Sequence, residues 1–362
     1  MSVAFFTRNL EVGGAQRVLV NVTAEFAKRD QNVEIVLQKK QGALLEHVHD
    51  DVSIVDLNAD PFIPIVQALR EYLKKRRPDV LVSTVNTANL AAIMAVKTTR
   101  TGTRHVVRIA NTLSKIAQGY DKRLTDRPFP YLMRLLYPQA DQLVAVSGGI
   151  ANDLVKNYGI DRNKIEVIYN PTVTDALIEQ SNEPVDHAWL NNSEIDVILG
   201  VGSLTKQKDF STLIRAFYRV QKKRGAKLMI LGKGKQREQL ETLTQKLGIE
   251  DSVALPGQVS NPYAYMTQAD VFVLSSRWEG CPNVLIEALA CGCPVVATDC
   301  PHGPSEILED GKYGPLVPVG DQQTLANAIV DTIESPRDTA MLKDRGSDFY
   351  VQSITDEYER LL

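Results

Sequence analysis

One stretch of the sequence, residues 271–298, constrains the fold more than any other. It begins with the apolar run 271–274, and a short, unbroken run of this kind is typical of a buried parallel strand. A polar loop follows, and apolar residues then recur at helical spacing behind Asn283, which we expect to be the helix N-cap. Gly292 ends this helix, and residues 294–297 open the next strand. The stretch therefore predicts a strand–helix–strand unit of a parallel sheet.

Two carboxylates flank the predicted helix start. Glu279 lies in the loop, and Glu287 lies one turn into the helix. The free backbone N–H groups and the positive end of the helix dipole lie between them and favour a phosphate group. Because carboxylates accept hydrogen bonds from sugar hydroxyls, this arrangement suits a ligand with hydroxyls on both sides of a diphosphate. The alternative is an ordinary strand–loop–helix unit with two solvated acids.

The same alternation of apolar strands and amphipathic helices occurs in both halves of the chain. The first half opens with strand 3–8, a loop containing Gly13-Gly14, and a helix. The second half opens with strand 196–202, which leads to a helix that we expect Asp209 to cap. Strands that alternate with helices predict an α/β fold with parallel sheets.

A domain boundary is predicted near the middle of the chain. At 362 residues the chain is more consistent with two domains than with one. The dipeptide Asn170-Pro171 and the polar stretch that follows it have the composition of a linker. We therefore expect two doubly wound domains, at residues 1–170 and 171–346.

Charge is unevenly distributed along the chain. The net charge is −3, but residues 1–170 carry 23 Lys and Arg against 17 Asp and Glu, whereas residues 171–362 carry 18 against 27. A basic first half suits an acidic partner or an anionic membrane face, and the alternative is a chance distribution of surface charge. We place contact with a membrane surface or a lipid diphosphate in segment 110–127, ahead of an apolar helix at 128–137; a mobile, solvated loop is the alternative. Its cations are Lys115, Lys122, Arg123 and Arg127. Nothing in the sequence requires nucleic acid.

Several classes of protein and of site are disfavoured by the sequence. No run of 18 apolar residues is present, and the N-terminus lacks the plan of a secretory signal, so we expect a cytoplasmic protein that could lie at the inner face of a membrane. The cysteines do not follow paired zinc-ligand spacing, so we expect buried free thiols and no metal. They are Cys281, Cys291, Cys293 and Cys300.

The spacing of Glu279 and Glu287, with seven residues between them in EGCPNVLIEALACGCPVVAT, resembles the signature of the retaining glycosyltransferases of family GT4. The resemblance covers most of the chain and is strongest from Asn170 to Val319. It implies the GT-B fold, in which two Rossmann-like domains face each other across a cleft. It also implies that a C-terminal helix, about 347–362, packs back on the N-terminal domain. The N-terminal domain would bind the acceptor, and the C-terminal domain would bind the nucleotide-sugar.

The resemblance also implies roles for individual residues. Glu287 would bind the ribose hydroxyls of the donor, Glu279 would face the transferred sugar, and Lys208 would neutralise donor phosphates. Gly13 and Gly14 would face the donor diphosphate and the acceptor. The other positions that we assign to donor binding are Ser203, Gly232, Gln258, Val259, Arg277, Asn283, Val284, Gly303 and Glu306.

Two positions depart from the family pattern. Ser203 stands where the family usually has an arginine, five residues before the phosphate-binding lysine. The positive charge of the missing arginine must then come from another cation or be replaced by backbone donors. The candidate cations are Lys206, Lys233 and Arg277. The second departure is the absence of a histidine after the fifth strand of the first domain.

Arg108 and Asn111 stand in the region of that missing histidine. We expect them to orient the acceptor or the diphosphate, and we group them with Glu279 and Lys208 as catalytic residues. No histidine-based step is expected in this chain.

The resemblance implies a metal-independent, retaining transfer of a hexosyl or N-acetylhexosaminyl group without a cofactor. We expect a UDP-sugar rather than a GDP-sugar as donor, and a lipid-linked or polysaccharide acceptor in bacterial surface-glycan synthesis. One alternative is a GT-B sugar-nucleotide epimerase, although the acid and base groups that it needs are not found. The other is a non-catalytic nucleotide-sugar-binding protein of the same fold, which the change at Ser203 makes conceivable.

Overall fold

The computed structural model describes residues 1–114, 129–336 and 338–362. These divide into two compact units: Met1–Pro171 with Val351–Leu362 forms the first, and Thr172–Tyr350 forms the second. Most of the segment in which we place membrane contact, including its four cations, lies outside the described residues. No helix of the described ranges is both long enough and apolar enough to cross a membrane.

The first unit is built on a seven-stranded sheet in which neighbouring strands are parallel. In chain order its strands are β1 (Ser2–Thr7), β2 (Asn32–Leu37), β3 (Ser53–Asp56), β4 (Val80–Thr84), β5 (Arg104–Ile109), β6 (Gln142–Ala145) and β7 (Ile165–Val167). The spatial order is β3-β2-β1-β4-β5-β6-β7, so the order reverses between β1 and β4. The central strands are apolar and buried on both faces, as expected when helices cover both sides of a parallel sheet.

Helices cover both faces of this sheet. They are α1 (Gly14–Lys28), α2 (Phe62–Arg76), α3 (Asn86–Thr99), α4 (Phe129–Leu136), α5 (Gly148–Tyr158) and, from the end of the chain, the helix Val351–Leu361. One core cluster joins α1 and the C-terminal helix to alternate residues of the strands, such as Phe5 and Val106. A second cluster joins α2 and α3 to the opposite face of the sheet, through residues such as Phe6 and Leu81.

The C-terminal helix is fixed within the first unit by both polar and apolar contacts. Arg29 of α1 forms ion pairs with Asp356 at 2.6 Å and Glu359 at 3.0 Å. Arg104 of β5 donates to the carbonyl oxygen of Leu361 at 2.6 Å. The side chain of Tyr358 is buried in the core cluster that includes α1. The last helix is therefore an integral part of the first unit.

The second unit is built on a six-stranded parallel sheet. Its strands are β8 (Val197–Val201), β9 (Lys227–Leu231), β10 (Val253–Gly257), β11 (Val271–Leu274), β12 (Val295–Thr298) and β13 (Leu316–Val317). Its helices are α6 (Asp175–Ser181), α7 (Phe210–Gln221), α8 (Arg237–Leu247), α9 (Pro262–Gln268), α10 (Asn283–Ala290), α11 (Pro304–Ile307), α12 (Gln322–Glu334) and α13 (Thr339–Ser347); the C-terminal helix of the first unit is α14. The spatial order is β10-β9-β8-β11-β12-β13, which reverses between β8 and β11.

Two predicted helix caps need correction. The N-cap of α10 is Pro282, whose backbone is extended, and Asn283 is already the first helical residue. Asp209 does occupy the N-cap position of α7, but its side chain makes no capping hydrogen bond. Its carboxylate instead accepts a hydrogen bond from Thr212 Oγ1 at 2.8 Å and pairs with Arg277.

Candidate functional site

The candidate site lies where the strand order of the second unit reverses. In open parallel sheets, ligands bind outside the carboxyl ends of the strands at this switch point. Here it lies between β8 and β11. The loop 202–208 follows β8, and the loop 275–282 follows β11. The topology therefore brings together two sequence segments that are about seventy residues apart.

Lys208 and Glu279 meet at this point. Lys208 Nζ lies 2.7 Å from Glu279 Oε1, and the two side chains are only 17% and 7% exposed. Ser276 Oγ donates to the same carboxylate oxygen at 2.6 Å, and Gln207 Nε2 lies 3.4 Å from Oε2. The carboxylate predicted to face the transferred sugar is thus held in one orientation by neighbouring protein groups.

Buried hydroxyl groups fix the backbone around this ion pair. Ser275 Oγ donates to the carbonyl oxygen of Lys208 at 2.8 Å, and Thr298 Oγ1 donates to that of Ser276 at 2.6 Å. None of these hydroxyl-bearing residues was predicted from the sequence. Their position directly after an apolar strand is the signal that could have found them, because the carboxyl ends of parallel strands supply the site.

A second ion pair joins the same two loops. Arg277 Nε lies 2.8 Å from Asp209 Oδ2, and the backbone N–H of Arg277 donates to the carbonyl oxygen of Gln207 at 2.8 Å. The Asp209 side chain is 5% exposed, whereas that of Arg277 is 54% exposed. Two predicted cations of these loops, Lys208 and Arg277, are therefore each matched by a carboxylate.

Glycines allow the loops after β8 and β9 to approach each other. Gly232 has φ +147°, and a Cβ atom at this position would lie only 1.9 Å from the carbonyl oxygen of Gly202. Gly202 in turn lies against Lys208, whose Cε would be 3.2 Å from a Cβ atom on Gly202. A side chain at Gly232 would thus push apart the segment that supports Lys208.

Replacing Gly232 by alanine is expected to destabilise the second unit by about 3 kcal/mol or more, because the added methyl group overlaps backbone and requires an unfavourable φ. Gly225→Ala is the matched control, since a Cβ atom there has open space around it. Urea unfolding of both variants checks this. Equal stabilities of the two variants would contradict the close approach of Gly232 to the backbone of Gly202.

The loop with Gly303 lies against the start of α10. Gly303 has φ +97°, and a Cβ atom on it would lie 2.6 Å from Pro282 Cδ. The backbone N–H of Glu279 donates to the carbonyl oxygen of Pro301 at 3.1 Å. Glu306 lies in α11, where its carbonyl oxygen accepts from Arg345. The structure thus brings Gly303 near the Glu279 loop.

The remaining donor-site predictions fall at the same carboxyl edge of the second unit. Asn283, Val284 and Glu287 are all in α10, and Glu287 is 6% exposed. Ser203 is exposed in the loop after β8. Gln258 is exposed and Val259 is half-buried, directly after β10. Their roles toward a nucleotide stay predictions.

The first-unit predictions have different surroundings. Gly13 is the N-cap of α1, and Gly14 is its first residue, at the carboxyl end of β1. Asn111 is exposed after β5. Arg108, in contrast, is 4% exposed, and its guanidinium donates to Thr84 and Asn170. These contacts hold Arg108 inside the first unit, and its role in orienting substrate stays a prediction.

A buried histidine lies near the start of β5, the strand that also contains Arg108. His105 is 1% exposed, and Ser83 Oγ lies 3.0 Å from its Nε2 atom. Burial lowers the pKa of His105 to about 3, so the imidazole is neutral at physiological pH. It is a core residue of the sheet and adds no acid or base to the switch point of the second unit.

The cysteines are buried free thiols, as predicted. Burial raises the pKa of Cys291 and of Cys300 to about 12, and the nearby Glu279 carboxylate contributes at Cys300. Both thiols are therefore protonated and poor nucleophiles at neutral pH. In residues 1–114, 129–336 and 338–362, no cluster of three or more His, Cys, Asp and Glu could hold a metal ion.

Family models match both halves of the chain. The model described as Glycosyltransferase Family 4 matches residues 12–176. The model described as Glycosyl transferases group 1 matches residues 183–349, which include the loops of the candidate site. The GT4 resemblance read from the sequence is confirmed.

Two curated relatives illustrate the similarity. The N-acetylgalactosamine-N,N'-diacetylbacillosaminyl-diphospho-undecaprenol 4-alpha-N-acetylgalactosaminyltransferase of Campylobacter jejuni is 36% identical over 207 residues, which are 57% of this chain and 54% of that protein. The chain thus aligns with about half the length of this relative. The lipopolysaccharide core biosynthesis glycosyltransferase LpsE of Rhizobium meliloti is 34% identical over 239 residues, 64% of this chain and 67% of that protein.

Solved structures show the same fold. The HepE protein of Anabaena, in complex with UDP-glucose, has a TM-score of 0.79 and 22% sequence identity, and the match covers 100% of this chain and 99% of that chain. The predicted pair of doubly wound, Rossmann-like sheets is confirmed. From the family models, the curated relatives and the fold together, the chain belongs to glycosyltransferase family 4, the glycosyl transferases group 1, and has the GT-B fold.

Proposed function

We propose that this glycosyltransferase moves a hexosyl or N-acetylhexosaminyl group from a UDP-sugar to a hydroxyl of a lipid-linked or polysaccharide acceptor in bacterial surface-glycan synthesis. The observation that carries the proposal is the Lys208–Glu279 pair at the switch point of the second unit. The complex of HepE with UDP-glucose supports a uridine nucleotide. The names of the Campylobacter and Rhizobium relatives support a lipid-linked or lipopolysaccharide acceptor.

In this proposal, Lys208 and Glu279 act at the bond between sugar and diphosphate. Lys208 contacts the departing phosphate, where negative charge grows as the bond breaks. Glu279 faces the sugar, where positive charge develops at the anomeric carbon. Because Lys208 Nζ and Glu279 Oε1 are 2.7 Å apart, both side chains can contact one donor molecule on the two sides of its sugar–phosphate bond. Gln207 and Ser276 hold the carboxylate in place.

We propose that transfer retains the anomeric configuration through front-face displacement. The bond from the anomeric carbon to the phosphate oxygen breaks, and the acceptor oxygen forms its bond on the same face of the sugar. The departing phosphate accepts the proton of the acceptor hydroxyl, so the nucleoside diphosphate leaves with that proton. Positive side chains and backbone N–H groups stabilise its charge, and the step requires no metal ion.

The rest of the donor is assigned to neighbouring elements of the second unit. Glu287 of α10 accepts hydrogen bonds from the ribose hydroxyls, a role that suits a carboxylate. Gln258 and Val259, after β10, line the base pocket beside Gly232. The first unit supplies the acceptor site, near Gly13 and Gly14 at the start of α1.

A thermal-shift panel of UDP, GDP, ADP and their sugars tests this proposal. A ligand that binds only the native state raises its stability by about 2.7 kcal/mol at a hundred times the dissociation constant. We expect UDP and at least one UDP-sugar to raise the melting temperature more than the other nucleotides do. The absence of a shift with every nucleoside diphosphate would contradict it. Isomerisation of the bound UDP-sugar without an acceptor would instead indicate an epimerase.

A further inference from the structure

We propose that Lys233 supplies the unpaired positive charge that binds the diphosphate of the donor. This inference rests on the proposed function, because it concerns the same site, and it names a residue whose role is separate from that of the Lys208–Glu279 pair. Three observations carry it: the charge balance of the loops, the position of Lys233, and its exposure.

The two ion pairs at the switch point contribute no net charge toward a diphosphate. Lys208 is paired with Glu279 at 2.7 Å, and Arg277 is paired with Asp209 at 2.8 Å. The two carboxylate side chains are 7% and 5% exposed, so both carboxylates are held within the protein. Their four charges sum to zero. A diphosphate carries negative charge on each phosphate, and binding it therefore requires positive charge from a further group.

Lys233 lies at the required place in the fold. It follows β9 at the carboxyl edge of the sheet, and its carbonyl oxygen accepts a hydrogen bond from the N–H of Leu204 at 2.9 Å. This bond places it beside Ser203, in the loop that leads to Lys208. The backbone of Gly232 lies against Gly202, and Gly202 lies against the stem of Lys208. Lys233 is thus one strand away from the ion pair.

The backbone of Lys233 is fixed, but its side chain is free to reach a ligand. The backbone N–H of Gly232 donates to the carbonyl oxygen of Gly257 at 2.7 Å. A Cβ atom on Gly234 would lie 2.4 Å from the carbonyl oxygen of Leu204. The glycines on both sides of Lys233 are therefore tightly packed. The residue itself is exposed, and within the described ranges its ammonium group has no carboxylate partner. A long, flexible ammonium on a rigid base suits a phosphate.

Lys206 is one rival cation in this region. It is also exposed, but it lies in the turn before Lys208 rather than at the end of a strand. The experiment below separates the two lysines by comparing single substitutions of the same kind.

Calorimetric titration of UDP into the purified full chain tests the proposal. Lys233→Ala should weaken UDP binding by about tenfold, as expected from losing one favourable phosphate contact near a protein surface. Binding of uridine, which has no phosphate, should change by less than about twofold. Lys246→Ala is the charge-matched control: Lys246 is exposed near the end of α8, at the opposite edge of the sheet, and its loss should leave UDP binding unchanged. Thermal unfolding of each variant checks that it is folded.

A relocated charge provides a second, independent readout. Because Ser203 lies beside Lys233, Ser203→Arg in the Lys233→Ala background should restore UDP affinity to within about threefold of the wild type. Unchanged UDP affinity in Lys233→Ala, or a loss confined to Lys206→Ala, would overturn the inference while leaving the proposed function intact. Failure of the wild-type chain to bind any nucleoside diphosphate would instead overturn the proposed function itself.

Discussion

Glu279→Gln should lower the turnover number for sugar transfer by about a hundredfold or more. Glutamine has nearly the size of glutamate, and its amide oxygen can still accept the hydrogen bond from Ser276, so most of the loop's contacts should remain; only the weak 3.4 Å contact from Gln207 is lost, because an NH2 group cannot accept it. What the substitution removes is the negative charge that is 2.7 Å from Lys208 and that we place opposite the sugar. The measurement is kcat with saturating UDP-sugar and acceptor, once the donor panel has identified the sugar.

The matched control for this variant is Asp209→Asn. It removes one negative charge from the other ion pair between the same loops, at 2.8 Å from Arg277. We expect its turnover to fall much less than that of Glu279→Gln, because Asp209 is assigned no contact with the sugar. Similar losses in both variants would show that turnover depends on loop stability rather than on the Glu279 carboxylate. Thermal unfolding of each variant separates these two effects.

Lys208→Ala should lower kcat/KM by about 10²–10³-fold, the usual result of removing one group that stabilises developing charge. The loss should appear largely in kcat, because the charge on the leaving phosphate grows only as the bond breaks. Alanine also removes the ammonium partner of Glu279, whose side chain is 7% exposed, so the variant should be somewhat less stable as well. Steady-state kinetics and urea unfolding measure the two effects separately.

Lys208→Arg tests whether charge alone is sufficient. The stem of Lys208 passes close to Gly202, with Cε 3.2 Å from the position of a Cβ atom there. A planar guanidinium is larger than an ammonium and has a different geometry, so we expect it to recover less than about a tenth of the lost activity. Full recovery in Lys208→Arg, or wild-type kinetics in Lys208→Ala, would remove Lys208 from the proposed mechanism.

The strands were the most predictable part of this chain. The apolar run of β11 was predicted at residues 271–274, and the structure has it at Val271–Leu274. Short, unbroken apolar runs determine strands in a parallel sheet because both faces are covered. Helix starts were less predictable. Asn283 has the side chain of a good N-cap, but Pro282 already has the extended backbone that the cap position requires.

The ion pairs of the site could not be predicted from local sequence. Lys208 and Glu279 are in separate strand–loop–helix units, and they meet only because β8 and β11 are neighbours at the reversal of strand order. Arg108 was assigned a role toward the acceptor or the diphosphate because it stands in the region of the missing histidine, and that role stays a prediction. Local sequence could not show that the fold places Arg108 in the interior of the first unit, with Asn170 as a partner. That partner is 62 residues away in sequence.

The central claim is that the carboxyl edge of the second unit, between β8 and β11, binds the nucleoside diphosphate of the donor. A crystal structure of the chain with UDP tests it most directly. We predict ribose hydroxyls at about 3 Å from the Glu287 carboxylate and a diphosphate oxygen at a similar distance from Lys208 Nζ. UDP bound elsewhere on the second unit, with both Glu287 and Lys208 free of contact, would contradict the account.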